Sequence, residues 1–401
     1  MSNQSDLQQL IRYILTFLLY DSEQAAALVG YTDNPAEWDK YQLVILPSGH
    51  LGKDWVLPDL ANPRREGKFI SLDIVYNTAF FLSRAEELLT TERDEHGRFA
   101  AAYSLLGEQN RLQIPLLDEY SRFLTKALEH ACDETERTCP ARLPEPGFSL
   151  IYLTHDIDSV EQYRHLRGAL GGIARGQLHR VFNAWRDIHN DPIYTFPWIV
   201  EQDKQLQHNL DNVDIIYFVK HTRGFGYDYP QYCLHGRDYR RLEHLLTASG
   251  AQLGLHSSYY GHLPHTLPEA PQGSRLHRSH YLRCSIDQME RLVAAGVTDD
   301  FTMAFPDRAG FRLQTTRPAR WINPKTWQLT PLTLHPLTVM DCTLSNTNYM
   351  NLSEDEAYYY CQRLFDKVRQ NAGELVLLWH NNIFTPDTYH RRLYTELLKY
   401  I

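Results

Sequence analysis

Residues 149–159, with the sequence SLIYLTHDIDS, join a short apolar segment to a cluster of ionisable side chains. Residues 150–153 are apolar and partly β-branched, which is typical of a core strand in an α/β protein. His155, Asp156 and Asp158 follow it directly. Ionisable groups at a strand end are costly to bury unless they bind a metal, form pairs or do acid–base chemistry. The stretch therefore predicts a functional site, with a helix N-cap as the structural alternative.

Histidines also follow later strand-like segments. His256 and His380 each come at the end of an apolar run, and His280 lies in a segment rich in Arg and His. Because α/β barrels collect active sites at the C-terminal ends of their strands, we expect these side chains to meet the two aspartates. Two imidazoles and one carboxylate, with a position open for water, form a mononuclear zinc-type hydrolase site. The remaining aspartate would then be the general base and the remaining histidine the acid, although any single histidine also fits a surface or hydrogen-bonded core position.

Strands and helices alternate from residue 148 to the C-terminus, which indicates an α/β fold. Residues 134–147 are rich in proline and mark a domain boundary. We therefore expect an N-terminal α/β accessory domain at residues 1–140 and a (β/α) barrel domain at residues 148–401. Ser353 and Glu356 predict a capping box at the start of a late helix.

The N-terminal region is expected to begin with a strand at residues 13–20, followed by a short helix. A second strand is expected at residues 41–47, with helices at residues 71–89 and 116–127. The apolar run at residues 13–20 is preceded by Asp6 and is far too short to span a bilayer. It therefore predicts neither a signal sequence nor an anchor, and we expect a cytoplasmic protein without a membrane partner.

The composition restricts the class of partner. The 40 Lys and Arg residues against 49 Asp and Glu residues give a formal charge of -9 without a long basic run. This balance argues against nucleic acid and favours a neutral or cationic substrate. The six cysteines are dispersed without a CxxC pair, which indicates reduced thiols. No glycine-rich phosphate loop follows a predicted strand, so nucleotide binding is not expected, and the oligomeric state is not predicted.

The order of these motifs resembles the polysaccharide deacetylases, the family of the nodulation-type chitooligosaccharide deacetylase homology domain, in a divergent bacterial branch with an added N-terminal domain. That family opens with Thr-Phe-Asp-Asp, and Thr154-His155-Asp156-Ile157-Asp158 looks like this branch's version. The resemblance implies that Asp156 is the base and Asp158 a metal ligand. It also implies a divalent metal, with zinc expected, and a distorted seven-stranded (β/α) barrel.

The second family motif, His-Ser/Thr-x-x-His, is altered in this chain. The sequence reads His256-Ser257-Ser258-Tyr259-Tyr260, so Tyr260 stands where the family has its second metal histidine. His280, two residues after Arg278, is our choice over His262 for the missing ligand. This departure is compatible with a relocated metal site and also with a domain that has lost its metal and kept the fold.

The third and fifth motifs complete the resemblance, which covers residues 148–385. Arg278 looks like the arginine that orders the base, and Leu378-Trp379-His380 looks like the strand end whose histidine protonates the leaving amine. The resemblance therefore implies that Asp156, His380 and Arg278 are catalytic and that Asp158, His256 and His280 bind the metal. We expect the remaining side chains of these motifs around the metal or the substrate, namely His155, Ser257, Tyr260, Arg283 and Trp379.

The expected function is removal of an acetyl group from an N- or O-acetylated sugar of a surface polysaccharide or its precursor by a metal-dependent hydrolase. The expected partner is therefore a carbohydrate. Two alternatives stay open: a catalytically inactive carbohydrate-binding or assembly protein on the same fold, and an amidohydrolase acting on a small non-sugar amide. Metal content separates the first alternative from the hydrolases, and a substrate panel separates the second.

Overall fold

The computed structural model describes residues 4–220, 226–229, 232–260, 273–386 and 388–401. The described chain is a mixed α/β protein with a curled, half-barrel sheet of nine strands and a smaller sheet of four strands. His262, the alternative metal ligand considered above, lies outside the described residues. None of the helices in these ranges combines the length and the apolar character needed to cross a membrane.

The N-terminal region combines short strands with helices of very different length. Its helices are α1 (Gln4–Leu18), α2 (Glu23–Ala26), α3 (Ile74–Ser83), α4 (Glu86–Leu89), α5 (Leu105–Glu108) and α6 (Leu116–Glu134). Its strands, paired in the order β1-β2-β4-β3, are β1 (Val29–Tyr31), β2 (Leu43–Ile45), β3 (Arg65–Glu66) and β4 (Phe69–Ile70). The strand expected at residues 41–47 is confirmed by β2, and the helix expected at 116–127 by α6. The helix expected at 71–89 is divided into α3 and α4.

The expectation of a strand at residues 13–20 is wrong, because most of this run belongs to α1. Leu10, Ile14 and Leu18 are fully buried and lie four residues apart, so they share one face of a helix. A short apolar run fits either a strand or a buried helix when it is considered alone. The residues that precede it extend the helical period and decide between the two.

The C-terminal region supplies the large sheet and the helices around it. The helices are α7 (Leu166–Ala174), α8 (Leu178–Arg186), α9 (Phe196–Asn209), α10 (Arg237–Ala248), α11 (Ile286–Ala295), α12 (Asp341–Ser345), α13 (Glu354–Gln370) and α14 (Tyr389–Tyr400). The strands are β5 (Leu150–Ile157), β6 (Val213–Lys220), β7 (Gln252–Ser257), β8 (Leu276–Ser279), β9 (Asp299–Asp300), β10 (Ala319–Ile322), β11 (Leu329–Leu334), β12 (Leu337–Met340) and β13 (Glu374–Leu378). The predicted capping box of Ser353 and Glu356 is confirmed at the start of α13. The cysteines are free thiols, as expected.

The large sheet must curl because of how its last strands are connected. Its strands pair in the order β10-β11-β9-β8-β7-β6-β5-β13-β12, so β11 and β12 lie towards opposite ends. Leu334, the last residue of β11, is nevertheless only three chain steps from Leu337, the first residue of β12. Three steps reach about 11 Å at most, so the two ends of the sheet must approach each other. The fold class is therefore α/β with a curled sheet, whereas the seven-stranded barrel stays a prediction.

The N-terminal region is fixed to the large sheet by buried polar contacts. The carboxylate of Asp118, on α6, is fully buried and accepts hydrogen bonds from Thr315 Oγ1, Thr316 N and Arg317 Nε at 2.8, 2.7 and 3.1 Å. The hydrophobic core of the N-terminal region also includes residues of β10. These contacts hold the N-terminal region against one end of the large sheet. The division into two domains near residues 134–147 stays a prediction.

His335, in the short link between β11 and β12, holds the curl together at the amino ends of the strands. Its Nδ1 lies 2.7 Å from Glu374 Oε2, and its Nε2 lies 3.1 Å from Asp299 Oδ1. Because a carboxylate only accepts, both ring nitrogens donate and the imidazole is protonated. Burial by itself lowers the pKa of His335, but the two carboxylates outweigh burial and raise this pKa to about 9.

We expect the free energy of unfolding to fall as the pH rises from 6.5, the ordinary pKa of histidine, to about 9. In this window the unfolded chain has lost the His335 proton while the folded chain still holds it, so the contribution present at lower pH disappears. The pKa difference corresponds to about 3 kcal/mol. Urea unfolding of the wild type and of His335→Gln at both ends of the window measures it. The difference in free energy of unfolding between the wild type and His335→Gln should decrease by about that amount as the pH rises. Equal pH dependences of the two proteins would contradict the assignment.

Candidate metal centre and active site

The predicted site residues converge at the carboxyl ends of neighbouring strands. β5 is longer than predicted, so Asp156 lies within the strand and Asp158 directly follows it. His256 of β7 is in register with Lys220 of β6 on one side and with Arg278 of β8 on the other. Side chains that are paired in register point to the same face of a sheet. The strand order therefore brings these side chains together on one face.

Asp158, His256 and His280 form a compact group of possible metal ligands. Their ligand atoms all lie within 4.8 Å of one another. Asp158 Oδ1 is 3.2 Å from His280 Nε2 and 3.6 Å from His256 Nε2. Asp158 Oδ1 and His256 Nε2 are buried, and neither has a hydrogen-bond partner among the described residues. Buried polar atoms are rarely left without partners, so these orphaned atoms fit a bound cation.

The hydrogen bonds on the outer side of the two imidazoles set their tautomers. His256 Nδ1 lies 3.1 Å from the carbonyl oxygen of Arg278, which can only accept, so Nδ1 carries the proton. The lone pair of His256 Nε2 therefore faces the group. His280 Nδ1 lies 2.9 Å from Asp228 Oδ1, which orients its Nε2 in the same way. Metal-binding histidines usually donate their other ring N–H to such a carboxylate or carbonyl oxygen, which fixes the tautomer and the orientation of the ring.

Asp228 is a site residue that sequence reasoning missed. Its carboxylate accepts from His280, from the hydroxyl of Ser258 and from the backbone N–H of Tyr259. It lies in a single helical turn after β6, away from any strand end. No periodic or motif signal marks this position, so only the structure could find it.

The charges of Asp158, His256 and His280 favour a bound cation. Burial would raise the pKa of Asp158, but His280 and His256 outweigh burial and hold this pKa well below its usual value. Burial lowers the pKa of His256. Burial would also lower the pKa of His280, yet the carboxylates of Asp158 and Asp228 raise it. The group thus offers an ionised carboxylate and a neutral imidazole, and a cation could replace the proton of His280.

Asp156 lies between the metal group and His380, and Arg278 holds it in place. Arg278 Nη1 is 3.2 Å from Asp156 Oδ1 and donates to Thr154 Oγ1 at 2.7 Å. The other carboxylate oxygen, Oδ2, is 3.7 Å from His256 Nε2 and 4.0 Å from His380 Nε2. Asp156 is almost completely buried. A carboxylate in this position can reach a water molecule held beside the metal group.

His380 is held on its far side by Asp341, which sequence reasoning also missed. His380 Nδ1 is 2.9 Å from Asp341 Oδ1, and its backbone N–H donates to Oδ2 at 2.6 Å. Burial would lower the pKa of His380, but the Asp341 carboxylate raises it well above its ordinary value. Asp341 directly follows the apolar strand β12. The strand-end signal that identified His380 would therefore have identified Asp341 as well.

Asp341, Cys342 and His380 form a second group with metal-ligand chemistry. Both carboxylate oxygens of Asp341 already accept hydrogen bonds from His380. The sulfur of Cys342 lies 3.9 Å from His380 Nδ1, and burial raises the pKa of this thiol to about 11. A neutral thiol beside a satisfied aspartate–histidine pair is a poor metal site. The first group fits a metal better.

Residues 10–133 match DUF7033, a family of unknown function. The match includes none of the candidate site residues. No curated protein matches the chain. Among solved structures, the crystal structure of a "putative polysaccharide deacetylase" from Mycobacterium smegmatis is 14% identical, with a TM-score of 0.39, and the match covers 64% of this chain and 88% of that one.

His155 and Trp379 do not contact the site, which corrects the expectation for both. Successive residues of a strand point to opposite faces, and His155 lies on the face opposite to Asp156. Its Nδ1 is 2.9 Å from the Trp379 carbonyl oxygen, and its Nε2 is 2.9 Å from Asp203 Oδ2. The Trp379 ring is fully buried against Tyr394, with centroids 5.2 Å apart. Both residues stabilise the packing of helices behind the sheet.

Ser257 also points away from the metal group. Its Oγ lies 2.9 Å from His277 Nε2, and His277 Nδ1 lies 2.7 Å from Asp300 Oδ1. All three side chains are buried and cross neighbouring strands on the opposite face. These buried hydrogen bonds connect the strands that carry His256 and Arg278, and a substrate cannot reach them.

Tyr260 and Arg283 lie at the rim of the site. The Tyr260 ring is 40% exposed and packs against Tyr259, and His280 instead of Tyr260 belongs to the group of possible metal ligands. Arg283 donates to the carbonyl oxygens of His96 and Tyr259 at 2.8 and 2.9 Å. Arg283 therefore links the N-terminal region to the rim and does not reach the metal group.

An aromatic rim borders His280. The rings of Tyr227 and Tyr259 are 4.4 Å apart, and Tyr281 lies 4.8 Å from the His280 ring. Tyr227 and Tyr281 are exposed. Tyr281 has a φ of 59°, a left-handed conformation that is uncommon for a bulky residue and often occurs at functional sites. Exposed aromatic rings next to a polar centre suit the apolar face of a sugar.

Proposed function

We propose that the protein is a metal-dependent hydrolase that removes an acetyl group from an N- or O-acetylated sugar of a surface polysaccharide or its precursor. The observation that carries the proposal is the convergence of the Asp158, His256 and His280 group with Asp156 and His380. Each of the last two is held by a charged partner. The aromatic rim and the order of the sequence motifs support a carbohydrate substrate.

Asp158, His256 and His280 would hold the divalent ion, and zinc suits two imidazoles and one carboxylate. The orphaned atoms Asp158 Oδ1 and His256 Nε2 support this assignment. When bound, such an ion supplies a Lewis acid that activates water and polarises a carbonyl group. The chain's own residues then have to move the protons.

Asp156 would take the proton of the attacking water. The bond from Arg278 Nη1 keeps Oδ1 occupied, so Oδ2 is the free basic atom and faces the metal group. Arg278 also fixes the position of the Asp156 carboxylate, and a general base has to be held within reach of the proton that it takes. Because both side chains are buried, this pair acts in a medium where its electrostatic effect is strong.

His380 would give a proton to the leaving amine or hydroxyl oxygen of the sugar. Its Nε2 is 3.9 Å from Asp158 Oδ2 and 4.0 Å from Asp156 Oδ2, so the acid and the base flank one reacting centre. Asp341 stabilises the protonated imidazole through Nδ1 and leaves Nε2 directed at this centre. Opposite protonation states of two neighbouring groups are what general acid–base catalysis requires.

The direct test combines metal analysis with acetate release. We expect the purified wild type to bind about one divalent ion per chain and to release acetate from N- or O-acetylated glycans in a metal-dependent way. We expect His280→Ala to lose most of the bound metal and the activity together, because one of three protein ligands is removed. Tyr260→Ala, at the family's usual ligand position, is the matched control and should keep the metal.

The possible results separate the alternatives. Full metal retention in His280→Ala would contradict the ligand assignment. A metal-free, inactive wild type would favour a non-catalytic carbohydrate-binding protein. Acetate release from small amides without release from sugars would favour the amidohydrolase.

A further inference from the structure

Lys220 is a buried lysine at the edge of the candidate metal centre. It is the last residue of β6, is 4% exposed, and is in register with His256 on the neighbouring strand. Its side chain therefore points to the face that carries the metal group. Burial lowers the pKa of Lys220, and the carboxylates of Asp158 and Asp228 oppose this effect.

The ammonium of Lys220 has no partner within the described parts of the chain. Its backbone N–H donates to the Tyr232 hydroxyl, but no hydrogen bond or ion pair is formed by Nζ. Burying a charge without a partner is costly, and lysines are almost never buried unless they are paired. A residue that breaks this rule at a strand end beside a metal group is typical of a functional position.

The neighbouring carboxylates are already used. Asp228 accepts from His280, Ser258 and Tyr259, and Asp156 accepts from Arg278. Asp158 faces the two imidazoles of the metal group. The charge of Lys220 is therefore left available for a group that enters the site from outside.

We infer that Lys220 binds an anionic group, a carboxylate or a phosphate, that the substrate carries close to its acetyl group. This inference rests on the proposed function, because it names the class of acetylated sugar that the same site accepts. The net charge of -9 favours a neutral or cationic ligand for the protein as a whole. Beside His256 of the metal group, however, the Lys220 ammonium has no partner among the described residues, and a divalent ion would add further positive charge.

A different role for Lys220 would be to stabilise the negative oxygen that develops during hydrolysis. That role would assist all acetylated substrates equally, because the oxygen develops on each of them. Recognition of a substrate anion instead affects only anionic substrates and is present before any reaction. Binding measurements on an inactive variant therefore separate the two roles.

The experiment uses the full chain loaded with zinc and carrying Asp156→Asn to block turnover, alone or combined with Lys220→Met or Lys220→Arg. Methionine matches the length of lysine without its charge, and arginine keeps the charge. Calorimetry then measures the affinities for methyl N-acetylglucosaminide, for its C6 carboxylate and for its 6-phosphate. Thermal unfolding checks that each variant is folded, and Lys220→Met should be at least as stable as its parent because a buried charge is removed.

The expected result is that at least one anionic sugar binds about 10- to 100-fold more tightly than the neutral sugar, as for a hydrogen bond to a charged group. Lys220→Met should abolish this preference, and Lys220→Arg should retain most of it. If the C6 carboxylate binds more tightly than the 6-phosphate, the anionic group is a carboxylate, and the opposite order identifies a phosphate. Equal affinities, a preference that survives Lys220→Met, or no binding of any of the three sugars would overturn the inference.

The outcomes for this inference and for the proposed function are independent. A preference that depends on Lys220, in a protein whose wild type releases no acetate from these sugars, would support anion binding and overturn the hydrolase proposal. Acetate release from these sugars, with affinities that do not depend on Lys220, would support the hydrolase proposal and overturn anion binding by Lys220.

Discussion

Asp156→Asn should reduce the rate of acetate release by about 10²- to 10⁴-fold, the usual contribution of a general base. The bound metal should stay, because Asp156 is outside the group of three ligands. Asparagine keeps an oxygen that can accept from Arg278, which donates to Asp156 at 3.2 Å in the wild type. The fold should therefore survive while the basic oxygen is lost. Metal content, thermal unfolding and acetate release on the same preparation measure all three effects.

Asp158→Asn is the matched control for this prediction. The substitution is the same and lies two residues further along the chain, but it changes a proposed metal ligand. We expect this variant to lose metal and activity together. Equal metal loss in the two variants would remove the distinction between base and ligand. Substantial residual activity in Asp156→Asn would show that another group takes the proton.

The strand ends made much of the candidate site predictable from the sequence. Asp156, His256 and His380 each come near the end of an apolar run, and parallel strands bring such positions together whatever their separation in the chain. The period of each run and the edge of the sheet at which it finishes are sufficient for this prediction. The strand expected at residues 13–20 is wrong because a short run does not reveal the helical period of α1.

The site residues that the sequence does not predict lie where a sequence pattern gives neither the register nor the face. Lys220 is the last residue of β6, and only the register with His256 shows which face it occupies. Asp228 lies in a turn, where neither a helical nor a strand period applies. His155 and Ser257 were assigned to the site because of their neighbours in sequence, although successive strand residues point to opposite faces. Register and face are therefore the information that the sequence alone leaves out.

Asp341→Asn should reduce kcat for acetylated sugars by about 10²- to 10⁴-fold, because His380 then loses the partner that favours its protonated form. Asp341 is fully buried, and its two oxygens accept from His380 Nδ1 and from the His380 backbone N–H. Asparagine has the same shape but no charge, so it cannot stabilise an imidazolium. Metal content should not change, since Asp341 is outside the group formed by Asp158, His256 and His280.

Substrates with different leaving groups distinguish a role of Asp341 and His380 in proton donation from a merely structural role. Para-nitrophenyl acetate expels an oxygen that needs no protonation, so its hydrolysis should be much less sensitive to Asp341→Asn than deacetylation of a sugar amine. A structural defect would instead reduce both reactions by similar factors. Cys342→Ser is the matched control, because the thiol lies only 3.9 Å from His380 Nδ1 and should be dispensable. If Cys342→Ser removed the metal, the ion would belong to the group of Asp341, Cys342 and His380, and His380 could not serve as the acid.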